Sequence, residues 1–356
     1  DRRFYVSSGR RLQLVRALNG TEGGGAEAEA VRAGLLAAWD APVAFWVDAK
    51  ARVRGGAESA EAVLRDAAES QQSPAPLVVF VLHALPNRDC RRAAPGGEIC
   101  CHFAAESSSA DGASCDLLHS TSASDVEGDK CDVGLAEYEA DIVDAFVELL
   151  AEHADRVPIA VVIEPGSLSS LSLGGSAPRC SAAATRHAYL GGVAYAVQRL
   201  SERVPGAALY LDAGDGATLG WGERVRTFVT LVAHLGELAY RLRGFATNVG
   251  SYQPLGAACP ADQSASLPTY CRANPRDPCC GSDPCRLIAR FNSGVGELNY
   301  VQLLARHLRI AMPGFRPHFL IDTGRNGVED SRANCDATCN LRGAGFGALP
   351  TAQTAL

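Results

Sequence analysis

Apolar, β-rich runs recur along this chain at intervals long enough to hold a helix, and nearly every run ends on a polar side chain. Strands are expected near residues 43–47, 77–82, 159–163, 207–211, 244–247 and 318–321, with a weaker one near 344–347. Helical patterns lie between them at 27–39, 59–69, 135–153, 182–201, 223–238 and 294–307. Within 135–153, Ile142, Val143, Phe146, Leu149 and Leu150 recur at three- and four-residue steps, which puts them on one helix face. Strand–helix alternation of this kind builds a parallel sheet covered or closed by helices. Seven such repeats in 356 residues favour a single α/β domain over 1–356, a parallel β/α barrel, over two small domains.

Composition narrows the partners. The chain is 47% hydrophobic and 21% charged, the balance of a soluble globular protein. Its formal charge of −7 argues against nucleic acid, which needs a basic footprint, and is compatible with a neutral polysaccharide. The longest apolar run, around 77–82, falls far short of the ~20 residues that span a bilayer, so no membrane span is expected. The opening Asp1-Arg2-Arg3-Phe4 is not a charged-then-apolar leader, so a secretory signal is expected to be already removed or never present.

Thirteen cysteines, most in polar irregular stretches, point to disulfides and an oxidising, extracellular compartment. Buried free thiols are the alternative, but a polar loop offers them no apolar pocket. Two stretches interrupt the strand–helix rhythm and are expected as surface excursions too polar to bury a core. One, at about 99–131, carries Cys100, Cys101, Cys115 and Cys131; the other, at about 257–286, carries Cys259, Cys271, Cys279, Cys280 and Cys285. The spacing of Cys279, Cys280 and Cys285 does not match the paired CxxC of structural zinc, so no metal is expected. No cofactor is expected either. An odd cysteine count leaves at least one without an internal partner. Asn19-Gly20-Thr21 is a glycosylation sequon, in keeping with secretion.

The polar residues at the strand ends are the candidate chemistry. Asp48 follows the first strand, Asn87-Arg88-Asp89 the second, Glu164 the third, Asp212 the fourth, Asn248 the fifth and Asp322 the sixth. In a parallel β/α barrel these ends form one face, where active sites are built. Each alone reads as an ordinary strand cap; six polar ends in succession, five of them carrying a carboxylate, read as groups converging on a site. Glycoside hydrolysis needs such carboxylates, one to donate a proton and one to act as base.

The residues at these same ends carry a family resemblance. Val78-Val79-Phe80 with Leu85-Pro86-Asn87-Arg88-Asp89-Cys90 is similar to the "VVYDLPDRDC" segment of glycoside hydrolase family 6, and Val162-Ile163-Glu164-Pro165-Gly166-Ser167-Leu168 to its "VIEPDSLANL". Leu211-Asp212-Ala213-Gly214-Asp215 with Leu219-Gly220-Trp221 resembles "LDAGHAGWLGW", and Ala246-Thr247-Asn248-Val249 with Tyr252 resembles "ATNVANY". Phe45-Trp46-Val47-Asp48, Ile321-Asp322-Thr323-Gly324-Arg325-Asn326-Gly327 and Gly343-Ala344-Gly345-Phe346-Gly347 resemble "MWLD", "DTSRNG" and "GTGFG". The resemblance implies a distorted seven-stranded barrel and inverting hydrolysis of β-1,4-glucan. By it, Asp89 tunes the acid, Asp212 is a substrate carboxylate, and Arg88, Asp48, Asn248 and Arg325 lie in the binding cleft. Trp46 and Trp221 would be stacking platforms, whose indole faces suit the apolar face of a pyranose. It also implies a Cys90–Cys180 disulfide between two active-site loops.

The departures from that family carry the functional expectation. Gly166 stands where the family has its general-acid aspartate, and a glycine has no proton to give. His83 stands for a tyrosine, Asp215 for a histidine, and Thr218 and Thr338 for sugar-stacking tryptophans. The family's late "KPGGE" loop does not precede Leu356. Cys339, whose family partner lies in that region, is therefore expected to pair with Cys335 or to belong to a longer chain. The expectation is a β-1,4-glucan module with hydrolysis lost or impaired and a binding or structural role outside the cell. Its cysteine-rich loops would be free to contact assembly partners. The alternative is a working glucanase whose acid has moved, with Asp215 and Glu164 as candidates; a third reading is a scaffold that binds no sugar.

Overall fold

The computed structural model describes residues 3–21, 24–70, 74–92, 97–102, 115, 131–329, 331–338 and 340–351. Among the described residues, six strands, β1 (Phe45–Val47), β2 (Val78–Leu82), β3 (Ile159–Ile163), β4 (Ala208–Asp212), β5 (Gly244–Thr247) and β6 (His318–Ile321), form one sheet in sequential order, every neighbouring pair parallel. Parallel neighbours require a crossover, and helices supply it. Ala60–Glu69 lies between β1 and β2, Ala183–Arg203 between β3 and β4, Gly222–Ala233 between β4 and β5, and Glu297–Ala311 between β5 and β6.

Strand side chains alternate between two environments. Phe80, Leu82, Val161, Ile163, Leu209, Leu211 and Phe245 face outward into the main core beneath the helices. Val81, Val162 and Ala246 form a second cluster on the opposite face, joined by Trp46, Tyr210 and Leu320. Because this inner cluster draws on all six strands, the sheet is curled about it. Gly250, after β5, brings its Cα within reach of the Trp46 ring: a Cβ there would sit 3.7 Å from the indole edge.

The expected strand at 344–347 is not found. Phe346 is exposed, and Gly347 N–H donates to Thr323 O at 2.9 Å while Val328 N–H takes Ala344 O at 2.7 Å. That segment is tied to the loop after β6, and β1 and β6 remain the edges of the described sheet.

The stripe anticipated in 135–153 is wholly buried. Its helix runs through Asp132–Glu137, Tyr138–Asp144 and Ala145–Ala151, the middle piece wound as a π-helix. A hairpin of Ser8–Asn19 and Ala26–Ala37, only its second helix anticipated, buries no residue. Asn19 is exposed at the end of the first helix.

Cysteines pair as Cys90–Cys180, Cys100–Cys115, Cys101–Cys131, Cys259–Cys279, Cys271–Cys280 and Cys285–Cys335. Cys335 is thus bound to Cys285, not to Cys339, which lies outside the described residues, as does most of the first excursion. The second excursion does bury a core, contrary to expectation. Leu267, Leu287 and Val295 pack with its cysteines, and cystine sulfurs supply the apolar bulk that its Pro, Asp and Ser cannot. The sulfurs of Cys259, Cys271, Cys279 and Cys280 lie within 4.8 Å of one another, but each is consumed in a disulfide. None of the described helices is long and apolar enough to cross a membrane.

Candidate active site

Register sets the site. Trp46, Val81, Val162 and Tyr210 are cross-strand partners in turn, all pointing into the curl. Two residues on, at the C-terminal strand ends, Asp48, His83, Glu164 and Asp212 take the same side. The ladder carries them there: His83 N–H donates to Val47 O at 3.0 Å and Glu164 N–H to Leu82 O at 2.8 Å. The sequence-predicted carboxylates therefore do meet at one end of the sheet. Several of these turns hold left-handed backbone at non-glycine residues, with φ of 58° at Asn87 and Asp89, 49° at Glu164 and 61° at Asn248. Such conformations concentrate where structure is constrained by function.

The carboxylates differ in depth, and depth sets their charge. Glu164 is buried, accepting from Ala84 N at 3.1 Å, Leu85 N at 3.4 Å and Tyr138 Oη at 2.9 Å. Tyr138 is the first residue of the π-helical segment. Burial raises the Glu164 pKa despite these donors and nearby His83. Asp212 is also buried; its Oδ2 accepts from Gly166 N at 3.0 Å, Gly214 N at 2.9 Å and Ser169 Oγ at 3.4 Å. Burial dominates again and pushes Asp212 up to about 6.

Asp89 is the contrast. Partial burial would raise it, but His83, Arg92 and Arg88 together outweigh burial and hold it below the ordinary value. His83 Nε2 lies 3.8 Å from Asp89 Oδ2, and its Nδ1 lies 4.0 Å from Glu164 Oε2 with no hydrogen-bond partner among the described residues. Its ring stands edge-on to Trp46, centroids 5.5 Å apart.

The remaining predicted residues divide. Asp48 is partly exposed, 3.8 Å from Arg52 Nε. Arg88 is turned inward: its Nη1 donates to the carbonyls of Asp48 and His83, making it a tie between the β1 and β2 ends rather than a free sugar ligand. Asn248 is fully buried and its amide is spent on Gln253 N and O and on Asp322 O, so it staples the loop and is not available to a sugar. Asp215 caps the short helix Gly216–Leu219 through Thr218 N at 2.8 Å and accepts from Ser251 Oγ at 2.9 Å. Trp221 is half-buried, its Nε1 bonded to Arg290 O at 3.1 Å, and Arg224 covers one ring face at 4.3 Å. Arg325 is exposed, bonded to Gly250 O at 3.1 Å and lying over Tyr252. Thr218 is buried and Thr338 exposed. The Cys90–Cys180 disulfide ties the Asp89 turn to the segment before Ala183–Arg203.

Gly166, whose N–H donates to Asp212, is exposed with φ of +78°, and a Cβ built there would meet nothing within 4 Å. No carboxylate of the described residues has moved into that space; Asp212 approaches it only to take the glycine's N–H. Sequence reasoning missed Tyr138, Arg224 and Glu297. The last is fully buried at the start of its helix, its Oε1 accepting from Gly216 N at 2.8 Å. An acid in a helix's first turn reads as an ordinary dipole partner, so nothing in the sequence marked it.

A family model for "Glycosyl hydrolases family 6" matches residues 119–356. "Exoglucanase 3" of Agaricus bisporus is 32% identical over 318 residues, covering 88% of this chain and 56% of that protein. "1,4-beta-D-glucan cellobiohydrolase C" of Emericella nidulans is 31% identical over 322 residues, covering 89% and 57%. The chain therefore spans little more than half the length of these relatives. A solved structure of a glycoside hydrolase family 6 enzyme from Coprinopsis cinerea superposes with a TM-score of 0.70 at 26% identity, covering 98% of this chain and 79% of that one. With strand ends, motifs and family model in agreement, the chain belongs to glycosyl hydrolases family 6.

Proposed function

We propose that this chain is an extracellular module that binds β-1,4-glucan, as its cellobiohydrolase relatives' names suggest, and hydrolyses it poorly or not at all. One domain over 1–356 with a seven-strand barrel closure is part of the same reading, and the curled six-stranded sheet supports it. Trp46 and Trp221 supply stacking faces, the disulfides suit an oxidising environment, and the cysteine-rich excursions are surfaces for assembly partners. The observation that carries the loss of hydrolysis is the empty space at Gly166. A positioned proton donor contributes roughly 10²–10⁴-fold to such reactions, and here the position holds only backbone. Turnover of soluble cello-oligosaccharides by the purified protein is expected at least about 10²-fold below that of an ordinary family 6 enzyme. Cellohexaose should nevertheless alter intrinsic tryptophan fluorescence. Brisk turnover overturns the proposal; no fluorescence response favours a scaffold that binds no sugar.

A second reading is carried by Asp212. Held at about 6 beside the vacated position, it is partly protonated near neutrality, as a displaced donor would need. Asp215 and Glu164 serve this reading less well, because both carboxyl oxygens of each accept hydrogen bonds, whereas the bonds to Asp212 all fall on Oδ2. If Asp212 is the acid, residual turnover should vanish in Asp212→Asn; turnover equal to the parent's excludes it.

A further inference from the structure

The segment 212–221 carries Asp212, Asp215 and Trp221, and the first turn of Glu297–Ala311 clamps it at two points. Glu297 Oε1 accepts from Gly216 N at 2.8 Å, and one turn on Tyr300 Oη donates to Ala213 O. Both side chains are fully buried. The second carboxyl oxygen of Glu297, Oε2, is also buried and has no hydrogen-bond partner among the described residues; the same holds for Thr247 Oγ1 at the end of β5. The Thr247 hydroxyl is near enough to pull the carboxyl's pKa down, yet the two atoms do not meet the geometry of a hydrogen bond. An unpaired buried carboxylate oxygen beside an unpaired buried hydroxyl is costly as an anion and inexpensive as an acid. The charged groups facing Glu297 are Asp215 and Asp212, both of which disfavour its ionisation, with Tyr300 on its own helix. Arg332 bears on Asp215 from the loop after β6.

We propose that Glu297, kept as the neutral acid, is the positioning residue of this cleft: Oε1 holds Gly216 N–H, and the proton on Oε2 is offered to Thr247 Oγ1. Neutral Glu297 locks the turn bearing Asp215 and Trp221 against β5. Loss of its proton places a third negative charge beside Asp215 and Asp212 and loosens that turn. Glu297 touches no substrate in this scheme; it acts through the segment it holds. The effect on sugar rests on the glucan-binding reading, whereas the lock itself does not.

Two measurements separate these. In the free protein, hydrogen–deuterium exchange of a peptide covering 212–221, corrected for the intrinsic pH dependence, should be protected at pH 6 and lose about tenfold protection by pH 9, the scale of a single hydrogen bond. Glu297→Gln, which keeps the carbonyl oxygen for Gly216 but carries no titrating proton, should stay protected at both. Cellohexaose affinity, read by tryptophan fluorescence, should weaken over the same range in the parent and stay flat in Glu297→Gln. An unchanged pH dependence of exchange in Glu297→Gln, or no loss of protection in the parent up to pH 9, overturns the lock. Loss of protection that Glu297→Gln abolishes, with no cellohexaose binding at any pH, sustains the lock and removes the glucan reading instead.

Discussion

Gly166→Asp is expected to raise turnover of a soluble cello-oligosaccharide by about 10²-fold or more over the parent chain. The backbone there is left-handed, at φ of +78°, which aspartate adopts more readily than most residues. The Cβ would meet nothing within 4 Å, so the carboxyl enters without displacing a neighbour. Asp212 accepts the N–H of the same residue, and a second carboxyl beside it will be disfavoured as an anion. That is the state a proton donor requires. Gly166→Ala is the control: no gain in turnover, and less stable by about 1 kcal/mol because in left-handed backbone the alanine Cβ crowds the carbonyl oxygen that follows it. Should Gly166→Asp fold with the parent's melting temperature and still leave turnover unchanged, the missing carboxyl is not what limits this chain. Thr218, Thr338 and the inward-turned Arg88 would then be the place to look.

What was legible in the sequence was what periodicity encodes. All six paired strands were anticipated, because short continuous apolar runs bounded by turn residues report on parallel strands buried on both faces. The carboxylates at their ends converge because register does the rest: once Trp46, Val81, Val162 and Tyr210 are partners, His83, Glu164 and Asp212 must follow on the same side. The strand expected at 344–347 failed because Gly-Phe-Gly mimics an apolar run while Gly345, at φ of +68°, turns the chain back on the loop after β6. Asn248 was misread because a strand-end amide looks the same whether it meets a sugar or a neighbouring carbonyl; only the fold places Gln253 and Asp322 around it. Glu297 and Tyr138 were invisible for a related reason. Their partners, Gly216 and Glu164, are distant in sequence, and burial of a lone acid leaves no local signature.

Those buried acids make the folded protein expected to be markedly more stable at pH 5 than at pH 8. Glu297 is raised from 4.5 to about 8, first by burial and then by Asp215, and Asp212 from 3.8 to about 6, first by burial. For an acid whose folded pKa is raised, the native state holds a proton that the unfolded chain releases. Its stabilising contribution is complete below the unfolded value and is lost as pH rises towards the folded one. For Glu297 that window runs from pH 4.5 to about 8, and for Asp212 from pH 3.8 to about 6. At about 1.4 kcal/mol per pH unit, Glu297 alone would remove roughly 3–5 kcal/mol across its window, a large share of a typical domain's stability. Urea midpoints at half-unit steps from pH 4 to pH 9 measure this directly. Glu297→Gln should flatten the upper part of the profile and exceed the parent's stability at pH 8, since it keeps the Gly216 contact without the proton. Asp212→Asn should flatten only the part below about pH 6. A parent midpoint that holds level from pH 5 to pH 8, or a Glu297→Gln profile parallel to the parent's, would mean that Glu297 is ionised in the folded protein.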